Sequence, residues 1–137
     1  MAKHVVAAVG DIPPGSRMLA QVAGRAIVVF NLGGEFFALN NRCPHRGGSL
    51  CHGAQTGLVE ADEPGRYRYS RKGEMIKCPW HGWEFDVRTG QSWCDPARVR
   101  VRHYAVSVQP GSGLVAGPYV AETISVRVEA EYVVIEA

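Results

Sequence analysis

Cys43-Pro44-His45-Arg46-Gly47-Gly48 stands where a run of alternating apolar residues stops, and a second stretch, Cys78-Pro79-Trp80-His81-Gly82-Trp83, repeats its opening. Each begins Cys-Pro and offers one thiol and one imidazole, spaced C-x-H in the first and C-x-x-H in the second. Proline stiffens the chain after each Cys, and the glycines let the backbone approach closely whatever the side chains hold. Neither stretch has helical or strand periodicity, so both are read as functional loops set between strands.

Working outward, Ala26–Asn31 and Glu35–Asn40 flank Leu32-Gly33-Gly34, which predicts a β-hairpin. Met18–Val22 predicts a preceding strand, entered from the Asp11-Ile12-Pro13-Pro14-Gly15 turn. Between the loops, Leu58–Ala61, Arg66–Ser70 and Met75–Lys77 predict short strands around the Glu63-Pro64-Gly65 turn. Trp83–Val87 predicts a strand running into an Arg88-Thr89-Gly90 turn, and the alternation of Val99–Val108 predicts one further strand. Pro110–Gly117 reads as loop, and Ile124–Val128 with Tyr132–Glu136 as a closing hairpin.

The 137 residues fit one domain, long enough to bury a core without needing metal or disulfides to fold. A hydrophobic fraction of 46% with 20% charged residues excludes a disordered chain. The 16 Gly and 8 Pro favour a turn-rich β protein over a helix bundle. A formal net charge of +2 is too small for a nucleic-acid coat. The apolar run Val5–Val9 is far too short to span a membrane, and no secretory pattern follows Met1. The expected setting is therefore cytoplasmic, with neither nucleic acid nor membrane as a partner.

The chemistry lies in the donor sets. Structural zinc sites usually pair like ligands at each corner. One thiolate and one imidazole on each loop suit instead a two-iron cluster with one iron held by two Cys and the other by two His. A zinc site on Cys43, His45, Cys78 and His81, or buried cysteines with surface histidines and no metal, are the competing readings. At both loops the sequence resembles the Rieske iron–sulfur family. The resemblance covers most of residues 16–108, including Val28-Val29-Phe30, Phe37–Asn40, Ser49-Leu50, Gly53, Phe85-Asp86, Thr89-Gly90 and Asp95-Pro96.

That resemblance implies an all-β fold, a Rieske-like antiparallel sandwich or barrel. Residues 1–137 would form one domain, with a small cluster-binding subdomain of about residues 41–97 carrying both Cys/His loops and inserted in a β base. It implies one [2Fe–2S] cluster on Cys43, His45, Cys78 and His81, with Arg46, Gly48, Trp80, Trp83, Phe85 and Pro96 around it. His45 and His81 would sit at an exposed tip and form the electron port. Two ferric ions, two sulfides and two thiolates sum to zero charge, so neutral His ligands make an added electron easier to accept than four Cys would.

His45-Arg46-Gly47 and His81-Gly82-Trp83 look more like the Rieske domain of ring-hydroxylating oxygenases than like their small ferredoxins. Such oxygenases also need a catalytic domain with a mononuclear iron held by two His and a carboxylate. Only His4, His52 and His103 remain here, scattered along the chain. The expectation is therefore a one-electron carrier, not catalytic alone, passing electrons from a reductase to a terminal oxygenase. A small regulatory subunit of a larger redox enzyme is the alternative, and a zinc-bound interaction module a third reading.

The interval from His45 to Cys78 holds 32 residues, longer than the family's usual spacing by roughly a hairpin, and residues 59–77 are expected to form it. A second insertion is expected at residues 110–121. The disulfide that respiratory relatives carry between their loops would fall at Gly48 and Trp80, so it is impossible here. Cys51 and Cys94 are expected to be free thiols. Arg66–Lys72 mixes basic and aromatic residues but is flanked by Glu60, Asp62, Glu63 and Glu74, which favours a solvated hairpin. Arg98, Arg100 and Arg102 alternate with Val99 and Val101, so they share one strand face, with docking of an acidic partner left open.

Overall fold

The apolar run Ala26–Phe30 has no polar side to turn toward water, the pattern of a strand covered on both faces. The structure, a computed structural model, covers it so. It describes residues 3–44, 48–79, 82–92, 99–111, 119–120 and 130–137, with the backbone alone at 58–63, 66–72 and 119–120. In chain order the strands are β1 (Lys3–Ala8), β2 (Arg17–Val22), β3 (Arg25–Leu32), β4 (Glu35–Asn40), β5 (Ala54–Glu63) and β6 (Arg66–Lys77). They continue with β7 (Glu84–Asp86), β8 (His103–Tyr104), β9 (Val106–Pro110), β10 (Tyr119–Val120) and β11 (Glu131–Glu136).

Among the described residues three sheets result: a base sheet ordered β10-β1-β11-β9, a middle sheet ordered β2-β3-β4-β8, and a third of β5-β6-β7. Every pairing is antiparallel except the short parallel contact of β1 with β10. Alternation along β3 divides its side chains between two cores. Ile27 and Val29 join Ala7, Val133 and Ile135 between the base and middle sheets. Val28 and Phe30 join Leu50, Ile76 and Phe85 between the middle sheet and the loop-bearing side. The expected antiparallel β architecture is present, but the described strands form separate sheets rather than one closed barrel.

The hairpin of β3 and β4 turns at Gly33 and Gly34, whose φ values of 63° and 101° are ones that glycine adopts without strain. Two expectations need correction. The three short strands between the loops are two long ones, of 10 and 12 residues, kept paired through two register shifts. Val99–Val108 is not one strand, because the chain changes sheets at Ala105: β8 pairs with β4 and β9 with β11. The Ala105 carbonyl accepts the Glu136 N–H at 3.0 Å, which hands the chain to the base sheet.

Tyr132–Glu136, one half of the expected closing hairpin, lies within β11. β11 has β1 on one edge and β9 on the other. Residues 124–128 lie outside the described residues, as do 112–117 of the expected loop; Pro110 itself ends β9. The run Val5–Val9, given no structure by its pattern, supplies most of β1.

Candidate metal centre

Two strand ends deliver the two cysteines. β4 runs out through Asn41 and Arg42 to Cys43, and β6 runs directly into Cys78. Both thiols are buried, Cys43 0% and Cys78 2% exposed, and both pack in the core that holds Phe30, Leu50 and Phe85. Neither is in a disulfide, and nor is Cys51.

The loops close in the same way. The Cys43 N–H donates to the Gly48 carbonyl at 2.8 Å, and the Cys78 N–H donates to the Trp83 carbonyl at 2.8 Å. In both cases the acceptor is five residues on. Gly82, with φ 72°, donates its N–H to the Cys78 carbonyl at 3.1 Å inside the second loop. Each Cys is thus held at the root of a small closed turn.

Several residues beyond the loops fix them. Asn41 is buried and acts as a brace: its Nδ2 donates to Ser49 Oγ at 2.9 Å and its Oδ1 accepts the Cys51 N–H at 2.7 Å. Arg17, from β2, donates to the Cys51 carbonyl at 2.9 Å, to Gln55 Oε1 at 3.1 Å and to the Gly53 carbonyl. Gly53 follows the short 3-10 turn Leu50–His52 and abuts the Lys77 carbonyl, leaving no room for a side chain. Gly90 likewise abuts the Val101 carbonyl at φ 78°, and the Val101 N–H donates to the Gly90 carbonyl at 2.7 Å.

Arg88 ties this region to the middle sheet. It donates to Glu74 Oε1 at 3.0 Å and to Glu35 Oε2 at 3.1 Å, and its guanidinium lies 4.9 Å from the Phe37 ring centroid. The hydrogen bond to Glu74, more than that to Glu35, holds Arg88 above its ordinary pKa.

Of the residues expected around the site, Gly48 is buried, Trp83 half-buried and Phe85 fully buried in the core that holds both cysteines. His45, Arg46, Trp80, His81, Pro96 and Cys94 lie outside the described residues. Among the described residues no group of three or more His, Cys, Asp or Glu is placed to hold a metal ion. His4, His52 and His103 sit on three different segments. The two cysteines fit a sulfur-ligated cluster on their own terms: unbridged soft donors, screened from water, on loops whose glycines bring backbone close.

Pattern reading named Gly53, Asp86 and Gly90 only as parts of a family motif and missed Arg17 and Asn41. An Asn at a strand end before a Cys-Pro loop is a local signal for side-chain bonding to backbone. Arg17 has no such signal, since its partners lie 34 to 38 residues away.

The structure is similar to the Sphingomonas yanoikuyae B1 ferredoxin, with a TM-score of 0.59 and 26% identity over 78% of this chain and 90% of that one. It is also similar to the ferredoxin of carbazole 1,9a-dioxygenase from Nocardioides aromaticivorans IC177, with a TM-score of 0.60 and 25% identity over 97% of each chain. In sequence it is 31% identical over 103 residues to the 3-phenylpropionate/cinnamic acid dioxygenase ferredoxin subunit of Escherichia coli (strain K12), covering 75% of this chain and 82% of that one. The family model of the Rieske [2Fe-2S] domain matches residues 2–105, ending where the chain crosses from the middle sheet to the base sheet. Spanning both Cys-Pro loops and the sheets that carry them, that match makes this chain a member of the Rieske [2Fe-2S] domain family.

Proposed function

We propose that Cys43 and Cys78 hold one iron of a single [2Fe–2S] cluster and that His45 and His81 hold the other. The chain then serves as the ferredoxin-type electron carrier of a ring-hydroxylating dioxygenase system. The observation that carries this reading is the matched closure of the two loops, which sets two buried, unbridged thiols in one core. The likeness to dioxygenase ferredoxins supports the choice of carrier.

When bound, the cluster supplies one-electron exchange. The protein's own residues do the rest. Asn41 and Arg17 hold the first loop in shape, Gly53 lets the two loop roots meet, and Leu50, Ile76 and Phe85 keep water from the cysteine side. In this reading residues 41–97 form the cluster-binding subdomain and the base sheet its support, with a reductase and a terminal oxygenase as successive partners. The cytoplasm is the compartment that suits such a chain. Among the described residues no helix is long and apolar enough to cross a membrane.

Metal analysis tests the reading. About two iron and two acid-labile sulfide per chain, with a Rieske-type EPR signal on reduction, are expected. Stoichiometric zinc in protein expressed with ample iron would sink it.

A further inference from the structure

The end of the middle sheet that leads into the first loop gathers cations that are unpaired among the described residues. Arg25 opens β3 and Arg42 directly precedes Cys43; both are exposed, and both line a groove of about 470 Å³ with Asn40, Asn41 and Ser49. Backbone pairing brings them together, because the Asn41 N–H donates to the Ala26 carbonyl at 3.0 Å. On the other side of β4, the Asn40 N–H donates to the Arg102 carbonyl at 2.8 Å, which brings the exposed Arg100 and Arg102 to the same end. Alternation sorts them further: Ile27 and Tyr104 both face the core shared with the base sheet, so Arg25 and Arg102, two residues from each, lean to that same side.

Arg17 and Arg88 are each bonded to acceptors across the fold. Among the described residues, Arg25, Arg42, Arg100 and Arg102 make no ion pair and no acidic side chain lines the groove. Like charges held this close raise one another's energy, and an opposing anionic surface relieves that cost while steering the encounter. Single-stranded nucleic acid would also need exposed rings to stack on. Among the described residues the aromatic ring at this end is Tyr104, which is only 6% exposed, with the Arg102 guanidinium 4.9 Å from its ring centroid.

We propose that this arginine-lined end of the middle sheet, one residue from Cys43, is a docking face for the acidic surface of a protein redox partner. The inference rests on the carrier reading above and adds the partner's chemistry. Two probes test it. The first needs no cluster: fluorescein-labelled poly-L-glutamate is titrated with the full chain at low salt and followed by anisotropy. Arg42→Glu should weaken binding about tenfold, a change of the size that steering effects reach, and Arg25→Glu, outside the loop, should do likewise. Arg66→Glu makes the same charge change eleven residues up β6 from Lys77, about 35 Å away in an extended strand, and should leave binding within about twofold.

The second probe is the rate at which anionic ferricyanide, compared with cationic tris(1,10-phenanthroline)cobalt(III), oxidises the reduced protein. Arg42→Glu should lower that ratio and added salt should flatten it, while Arg66→Glu should leave it alone. Equal effects of Arg42→Glu and Arg66→Glu on both probes would overturn the proposal. So would tighter binding of an oligothymidylate than of polyglutamate. A chain without a reducible cluster that still lost polyglutamate on Arg42→Glu would overturn the carrier reading and support the surface.

Discussion

Gly53 and Lys77 touch backbone to backbone: a Cβ atom on Gly53 would overlap the Lys77 carbonyl oxygen. Gly53 closes the turn that follows the first loop, and Lys77 is the residue before Cys78. The relative placement of the two cysteines therefore depends on a gap the size of one hydrogen atom. Ala54, next in the chain, pairs with Lys77 across β5 and β6, so the contact cannot be relieved without disturbing that register.

Gly53→Ala should lower unfolding stability by about 1–3 kcal/mol, the usual cost of forcing an extra carbon into a packed site. Iron bound per chain should fall with it. Gly10→Ala, where an added Cβ meets nothing within 4 Å, is the control. Urea denaturation and iron analysis read both effects, and a stable, fully loaded Gly53→Ala protein would contradict the contact.

Arg17→Met keeps an unbranched stem as far as the position of Nε and removes the three hydrogen bonds to the segment 51–55. A cost of about 1.5–3 kcal/mol is expected for bonds made by a charged donor. Amide hydrogen exchange should quicken at residues 50–55 and not in β11. Arg17→Lys should recover little, because a single ammonium cannot span three separated acceptors.

Cys43→Ser and Cys78→Ser should each abolish cluster binding, read as loss of iron and of visible absorbance. Cys51→Ser should keep both. Cys51 contributes its backbone N–H and carbonyl to Asn41 and Arg17, and those bonds do not depend on its thiol.

The reduction potential should lie near the low end of the Rieske range, about −150 mV rather than about +300 mV. By the family resemblance, high-potential relatives place donor hydroxyls where Trp83 and Phe85 stand here. Phe85 is fully buried in the core shared by both cysteines and has no donor to offer. Phe85→Tyr should raise the potential if its hydroxyl reaches a cysteine sulfur, since such bonds favour the more negative cluster. Redox titration of both proteins decides; a wild-type value well above zero would mean that backbone donors or burial outweigh the missing hydroxyls.

The hairpin of β3 and β4 could be read directly, because Gly33-Gly34 sets both its turn and its register. So could the roots of the two loops, because Cys-Pro recurs at 43 and 78 amid loss of periodicity. The break at Ala105 could not, since alternation continues through Val99–Val108 while the hydrogen-bond partner changes from β4 to β11. Strand β1 was hidden in an apolar run without alternation. Arg17 was hidden because an exposed arginine and a clamping one look alike until the chain that supplies its acceptors is folded beside it.

Burial of β3 on both faces has a cost in uniqueness. Sliding β3 by one residue would exchange Ile27 and Val29 with Val28 and Phe30, and either arrangement buries only apolar groups. Hydrophobicity alone thus leaves two alignments nearly degenerate. Asn31 breaks the tie: it is 3% exposed, its Nδ2 donates to the Ile12 carbonyl at 2.8 Å, and its Oδ1 accepts the Gly34 N–H at 2.7 Å. A slipped strand would strand that amide without partners, at a penalty of about 1–3 kcal/mol. One polar side chain in an otherwise oily layer thereby selects which of two equally greasy alignments the protein adopts.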